Sequence, residues 1–413
     1  MPNKDRNIPK RRFKEFENAD AWELRKLGEV ANFSKGNGYS KKDLVEEGSP
    51  IILYGRLYTR YETVISEIDT FVLDEENRSN TVFSEGGEVL VPASGESALD
   101  IARASVVSEK GIVLGGDLNI IRLISEISPI FLALTISNGK TQKELSKRAQ
   151  GKSVVHLHNS DLKEVEFMVP SLPEQSAIGT FFSTLDQQIT LHQRKLDKLK
   201  NVKQAYLSEM FPAEGERVPK RRFPGFTDAW ELRKLGEVAE IITGTTPSTF
   251  DEENYGGKRL FVSPVDIQDN RYITETLTTL TEKGHLLGRE LRPGATLFVS
   301  IGSTIGKVAQ LKDFATSNQQ INAVISGDKI DDDFIFTGLE KKSAQIKNLS
   351  SQQAVPIINK STFSNIEFEF PTLPEQKAIG TFFSTLDRQT TLHQRKLEKL
   401  KNLKKALLNE LFV

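Results

Sequence analysis

Few places in this chain bring together side chains of the kind that do chemistry. The run Gly302-Ser303-Thr304-Ile305-Gly306-Lys307-Val308 approaches a phosphate-binding P-loop. Its spacing is one residue short, and valine stands where a hydroxyl would hold Mg2+. His156 and His158 form a close histidine pair, but the chain has no cysteine and no acidic ligand set beside them. A strand end with two polar side chains is the simpler reading than a metal site. His192 and His393 recur at equivalent places in two helical patterns, as polar residues that fix register on a seam would. An Asp/Asn-Pro-Pro-aromatic methyltransferase signature, a dinucleotide fingerprint and a GxSxG elbow are all missing. The chain therefore reads as non-catalytic, with no cofactor or metal of its own.

Recognition chemistry is better supplied. Asn and Gln pair bidentately with adenine, Arg and Lys with guanine, and hydroxyls with base edges or phosphates. In the second half of the chain, Thr245, Thr246, Ser303, Thr304, Lys307, Asn318, Gln319, Gln320 and Asn322 fall in polar loops. The first-half candidates are Tyr54, Arg56, Tyr58, Thr59, Arg60, Ser94, Ser97, Arg148, Lys152 and Ser153. Any one of these alone suits a solvated loop. Their parallel placement in two segments favours contact with a partner.

The elements that must position these loops are duplicated. Residues 173–203 and 374–404 match at 26 of 31 positions. PKRRF recurs at 9–13 and 219–223, and AWELRKLGEVA at 21–31 and 229–239. Two dissimilar inserts lie between, and PAEGERVP at 212–219 reads as a linker. This order is circular and implies a pseudo-two-fold object. Ser171-Leu-Pro-Glu174 and Thr372-Leu-Pro-Glu375 are capping boxes that open helices. Beyond them, Phe182, Leu185, Ile189, His192, Leu196, Leu199 and Tyr206 form a heptad seam. Phe383, Leu386, Thr390, His393, Leu397, Leu400 and Leu407 repeat it. Each helix would span roughly 58 Å, and two such seams predict an antiparallel pair. Short apolar runs at 50–54, 88–92, 112–114, 119–124 and 165–169 predict strands in the first insert. Those at 260–265, 296–301, 321–325 and 366–370 do so in the second, and helical pieces are expected at 129–148 in the first insert and 331–347 in the second. The fold class expected is α+β: two β-rich domains joined by two long antiparallel coiled-coil helices.

Composition sets outer bounds. A chain of 413 residues, 38% hydrophobic and 27% charged, holds several soluble domains. The charged N-terminal stretch lacks the apolar core of a signal peptide, and no run is long enough to span a membrane. A reducing cytoplasm suits a cysteine-free chain. The net charge of −1 is low for a nucleic-acid binder acting alone.

The duplicated LPEQxAIGxFFSxLDxxIxLHQRKL segments, the WELRKLGEV lead-ins, and TGTTPS, GSTIGKV and SNQQINAV in the second insert carry a family resemblance. The chain resembles the specificity subunits of type I restriction-modification systems from about residue 9 onward. That resemblance implies a target-recognition domain at 1–172, a spacer helix at 173–211, a linker with a second recognition domain at 212–373, and a second helix at 374–413. Each domain would read one half of a split double-stranded DNA site. Methyltransferase subunits would dock on the helices and translocase–endonuclease subunits would join them. S-adenosylmethionine, ATP and Mg2+ would belong to those partners, whose basic surfaces would supply much of the backbone grip. The helices would act as a ruler between half-sites. The first insert departs from the pattern, with KGNGYSKKDL and YGRLYTRY and no SNQQ. Two other readings remain open: an adaptor that clamps two proteins without reading DNA, and an enzyme in its own right.

Overall fold

A computed structural model describes residues 8–65, 67–73, 80–151, 154–268, 270–350 and 356–412. The chain divides into two compact units. One comprises Met1–His192 with Lys396–Val413, and the other Gln193–Arg395. Each long helix, Leu172–Met210 and Leu373–Leu411, therefore contributes one half to each unit.

The two units repeat one topology. In the first, a five-stranded sheet runs in the order 31–35, 118–123, 88–92, 105–107, 64–65. In the second, the order is 239–243, 321–326, 296–299, 308–311, 272–273. Pairings are antiparallel except the last in each sheet, which is parallel. The expected apolar runs coincide with these and neighbouring strands. Each unit adds a small second sheet, four-stranded in the first and three-stranded in the second.

The repeated AWELRKLGEVA segments explain themselves in this setting. Glu23–Lys26 pairs antiparallel with Glu166–Val169, the strand that leads into the first long helix. Glu231–Lys234 pairs likewise with Glu367–Phe370. A one-turn helix follows, Leu27–Val30 or Leu235–Val238, and then the first strand of the main sheet. The lead-in thus ties each sheet to the foot of a helix.

Within each unit the two helix halves run antiparallel. In the first unit Phe182 meets Phe412, and Asp186 binds Lys404. In the second, Tyr206 meets Phe382, Phe211 meets Phe383, and Lys203 binds Asp387 at 2.6 Å. Phe412 packs on Phe131 as Phe211 packs on Phe334, so the two helix ends fill equivalent sockets. The fourteen seam positions are all buried or half-buried, while the off-seam Leu191, Leu392 and Leu403 are exposed.

Two arginine–glutamate locks hold the frame. Arg12 grips Glu174 through Nε at 2.8 Å and Nη2 at 2.5 Å. Arg222 grips Glu375 through the same atoms at 2.8 and 2.6 Å. All four side chains are almost fully shielded. Hydrogen bonding to the glutamate raises each arginine's pKa against the burial that would lower it, so both stay charged. The PKRRF repeat is thus a fastener for the PEQ repeat, and its second arginine is the fastening residue.

The expected helix 129–148 differs from the structure. It breaks into Pro129–Ile136 and Gly139–Arg148. Gly139 sits at φ +65, and a Cβ there would collide with the Phe412 carbonyl. The close approach of that chain end forces both the break and the glycine. The second insert has no such break, and Asp332–Asn348 is continuous.

Candidate nucleic-acid interface

Sheet register alone brings the second-unit candidates together. Thr243 pairs with Asn322, Val299 with Ile321, and Phe298 with Val308. The loops after 243, after 299 and before 321 therefore leave one end of one sheet. Thr245 and Thr246 lie on the first of these loops. Ser303, Thr304 and Lys307 lie on the turn between strands Thr296–Val299 and Val308–Leu311. Asn318, Gln319 and Gln320 lie on the third, after strand Ala315–Ser317.

Hydrogen bonds knit these loops. Thr246 Oγ1 donates to Gln319 Oε1 at 2.5 Å. Asn318 Nδ2 donates to Gln320 Oε1 at 2.9 Å, and the Gln320 amide donates back to Asn318 Oδ1 at 3.0 Å. The Thr245 amide reaches the Ser317 carbonyl at 2.8 Å. Thr246, Ser303 and Gln319 are exposed, while Thr245, Thr304, Lys307, Asn318 and Gln320 are half-buried. Lys307 Nζ donates to the Ile267 carbonyl at 3.2 Å. Gly302 and Gly306, both at φ +96, shape a turn between two strands. No helix follows that turn, so the geometry of a P-loop is missing as well as its sequence.

Asn322 must be corrected as a base contact. It is buried, and its Nδ2 donates to Ser300 Oγ at 2.8 Å and to the Ile358 carbonyl at 3.3 Å. Its Oδ1 accepts from Thr243 Oγ1 at 2.7 Å. The amide is committed to stapling the sheet end to the returning chain. Asn119 in the first unit does the same through the Leu157 carbonyl at 2.9 Å, although sequence reasoning passed over it. Both asparagines occupy the second position of equivalent strands, and that was the available signal.

The first-unit candidates are more dispersed. Tyr54, Arg56, Tyr58 and Thr59 sit on the short helix Tyr54–Thr59, and Arg60 caps its end. Arg56 reaches Asp69 at 2.9 Å, and Arg60 approaches the same carboxylate at 3.7 Å. The Tyr54 and Tyr58 rings lie 6.5 Å apart, and burial raises the Tyr58 phenol pKa. Thr59 Oγ1 donates to the Gly55 carbonyl. Ser97 caps the one-turn helix Ala98–Ile101. Ser94 is buried, with Oγ 3.1 Å from His156 Nδ1, and leaves the set of candidate contacts on that account. Arg148 is half-buried and bound to Glu144 at 2.7 Å, so its guanidinium serves the helix end. Lys152 and Ser153 lie outside the described residues.

Sequence reasoning also missed residues at the reading ends. In the first unit the loop after Lys35 leaves the same sheet end as Asn119, which brings Asn37 and Lys41 there. In the second unit, exposed Arg289 donates to the Thr243 carbonyl at 2.8 Å. The first loop was legible because KGNGYS at 35–40 follows its AWELRKLGEVA repeat at the same distance as TGTTPS at 243–248 follows the other, whereas Arg289 lies in no motif. Among the described residues no three His, Cys, Asp or Glu side chains gather as metal ligands.

Each of the two β-rich units carries polar loops at one end of its main sheet and is fastened to its halves of the long helices. Residues 19–201 and 227–402 each match the model of the type I restriction modification DNA specificity domain, and the chain belongs to that family. It is 27% identical to the type I restriction enzyme HindI specificity subunit of Haemophilus influenzae over 53% of this chain and 50% of that one. It is 26% identical to the MjaIX specificity subunit of Methanocaldococcus jannaschii over 45% and 44%. These alignments span about half of each relative. A third, to the M. jannaschii chain described as the MjaX specificity subunit, is 23% identical and covers 94% and 92%. The fold is that of the S subunit of the type I restriction-modification system from M. genitalium, with TM-score 0.71, 15% identity, and 98% and 99% coverage.

Proposed function

We propose that this chain is the DNA-reading subunit of a type I restriction-modification complex, with each unit contacting one half of a bipartite duplex site. The observation that carries this reading is the repeated sheet end. In both units the loops of one sheet leave together and present polar side chains, while the frame beneath them is nearly invariant between copies. The inserts diverge where contact chemistry belongs and the scaffold does not, which is the pattern of two readers on one mount. The long helices dock methyltransferase subunits, and translocase–endonuclease subunits complete the assembly. Those partners hold S-adenosylmethionine, ATP and Mg2+ and carry out the chemistry, while this chain catalyses nothing. No helix of the described residues is long and apolar enough to cross a membrane, in keeping with action on DNA in the cytoplasm.

An adaptor that merely clamps two proteins is the contrasting reading. Gel shifts of the methyltransferase complex with and without this chain separate the two. Preference for one duplex over random DNA should appear only when the chain is present. Equal binding to all duplexes would leave the adaptor.

A further inference from the structure

The two long helices are nearly the same sequence, so the positions where they differ are informative. Within 173–203 and 374–404 the five differences include two conservative ones, Asp197/Glu398 and Val202/Leu403. The others are Ser176/Lys377, Gln187/Arg388 and Ile189/Thr390. Arg388 lines a cavity of about 280 Å3 between the second helix and the edge of the second unit's main sheet. Lys312, Tyr272, Arg395, Asn270 and Thr391 line it with Arg388. Arg388 and Arg395 are seven residues apart and so share a helix face.

We propose that Lys312, Arg388 and Arg395, with Tyr272 beneath them, form a binding site for DNA backbone phosphate that exists in the second unit only. The inference rests on the DNA-reading assignment above and extends it to the helix and sheet edge at the strand end opposite the reading loops.

Three observations support it. First, all three cations are exposed, and among the described residues none lies within ion-pairing distance of a carboxylate. The nearby Asp387 and Asp333 are already taken by Arg271, at 3.1 and 2.6 Å, and Asp387 also by Lys203. Three cations around a concave site, without an ion-paired carboxylate among the described residues, favour an anion. Second, the site is shaped. Lys312 Nζ stands 3.9 Å above the Tyr272 ring, which holds the ammonium over the cavity rather than in free solvent. Burial raises the Tyr272 phenol pKa, so its hydroxyl stays protonated and able to donate.

Third, the first unit lacks the cluster. Sheet register makes Val64 the counterpart of Tyr272, since each pairs with the same strand position. The same register places Ser108 where Lys312 stands. On the helix, Gln187 takes the place of Arg388. The repeat keeps an arginine at the place of Arg395, as Arg194, so three differences, one on each of two strand ends and one on the helix, add two cations and an aromatic ring to the corner in the second unit. Arg388 is exposed on a helix that is otherwise copied almost unchanged, so no packing need accounts for its replacing a glutamine.

The test uses the complex reconstituted with methyltransferase subunits, titrated with its specific duplex and a random duplex across a salt series. The double variant Lys312→Ser with Arg388→Gln installs the first unit's residues. It should lower the slope of log K against log salt by about 1–2 and weaken both duplexes equally, roughly 10-fold at low salt. Lys377→Ser, which removes the other repeat-specific cation, should leave the slope unchanged. The reciprocal variant Ser108→Lys with Gln187→Arg should steepen it. An unchanged slope in the double variant overturns the proposal. So does a loss confined to the specific duplex, which would mean base reading. A parent complex with no sequence preference sinks the DNA-reading assignment and this inference with it.

Discussion

Gln319 and Gln320 are neighbours on the loop after strand Ala315–Ser317, yet their surroundings differ. Gln319 is exposed and accepts only from Thr246 among its described side-chain partners, whereas the Gln320 carboxamide oxygen serves Asn318. A bidentate contact to adenine contributes roughly 1–3 kcal/mol of discrimination. Gln319→Ala with Gln320→Ala should weaken specific binding about 10-fold or more and barely change random binding. Competitive titration at fixed salt checks this, and equal losses on both duplexes would assign the pair to phosphate positioning. A second residue-scale prediction concerns the fasteners. Arg222→Ala strands Glu375 in a shielded site, and breaking such a pair costs about 3–5 kcal/mol. Denaturant unfolding should report that loss, and a change under 1 kcal/mol would mean the lock contributes little to stability. The residue scale is also where sequence was least legible. Asn322 and Gln319 are both polar and three positions apart, but only the fold decides that one staples the sheet end and the other faces outward. The fasteners were visible only as repeated text, because a pair 153 residues apart in the chain leaves no local signal.

At the scale of elements, far more could be read in advance. The proline-bearing openings and the three–four spacing of the seam mark the long helices, since a proline-opened, uninterrupted amphipathic run has few alternatives. The expected capping boxes do not form, because Glu174 and Glu375 bind Arg12 and Arg222 instead. The apolar runs marked the main strands for the same reason. The WELRK strands escaped because four mostly exposed residues, a single leucine among three charged ones, show no apolar alternation, and only their partners before the helices make them strands. The break at Gly139 escaped because its cause is the distant Phe412. Two predictions belong here. Leu196 is buried on the seam, so Leu196→Asp should lower stability by about 3 kcal/mol or more through an unpaired buried charge. A melting temperature equal to the parent's would remove the seam from the account. Inserting one heptad into both helices should preserve the seam and lengthen each by roughly 10 Å. The untouched gap between half-sites should then grow by about three base pairs at roughly 3.4 Å each. A constant gap would show that the helices do not set it.

For the whole molecule, the organising fact is that each compact unit takes one half of each long helix. The first unit needs the end of the second helix, where Lys404 binds Asp186 and Glu62. The second unit uses the equivalent Lys203 to bind Asp387 and Glu340. The inserts join these networks with different chemistry. Thr63 reaches Asp186 at 3.0 Å in one, and Arg271 reaches Asp387 at 3.1 Å in the other. A shared frame with insert-specific attachments would let either insert be exchanged without disturbing the other. The most direct measurement is therefore methylation-motif sequencing of a host that carries this chain with its methyltransferase, before and after residues 240–371 are replaced by the insert of another family member. The account predicts a bipartite motif in which one half changes and the other half stays as it was. A motif in which both halves change together, or one with no bipartite form at all, would contradict it.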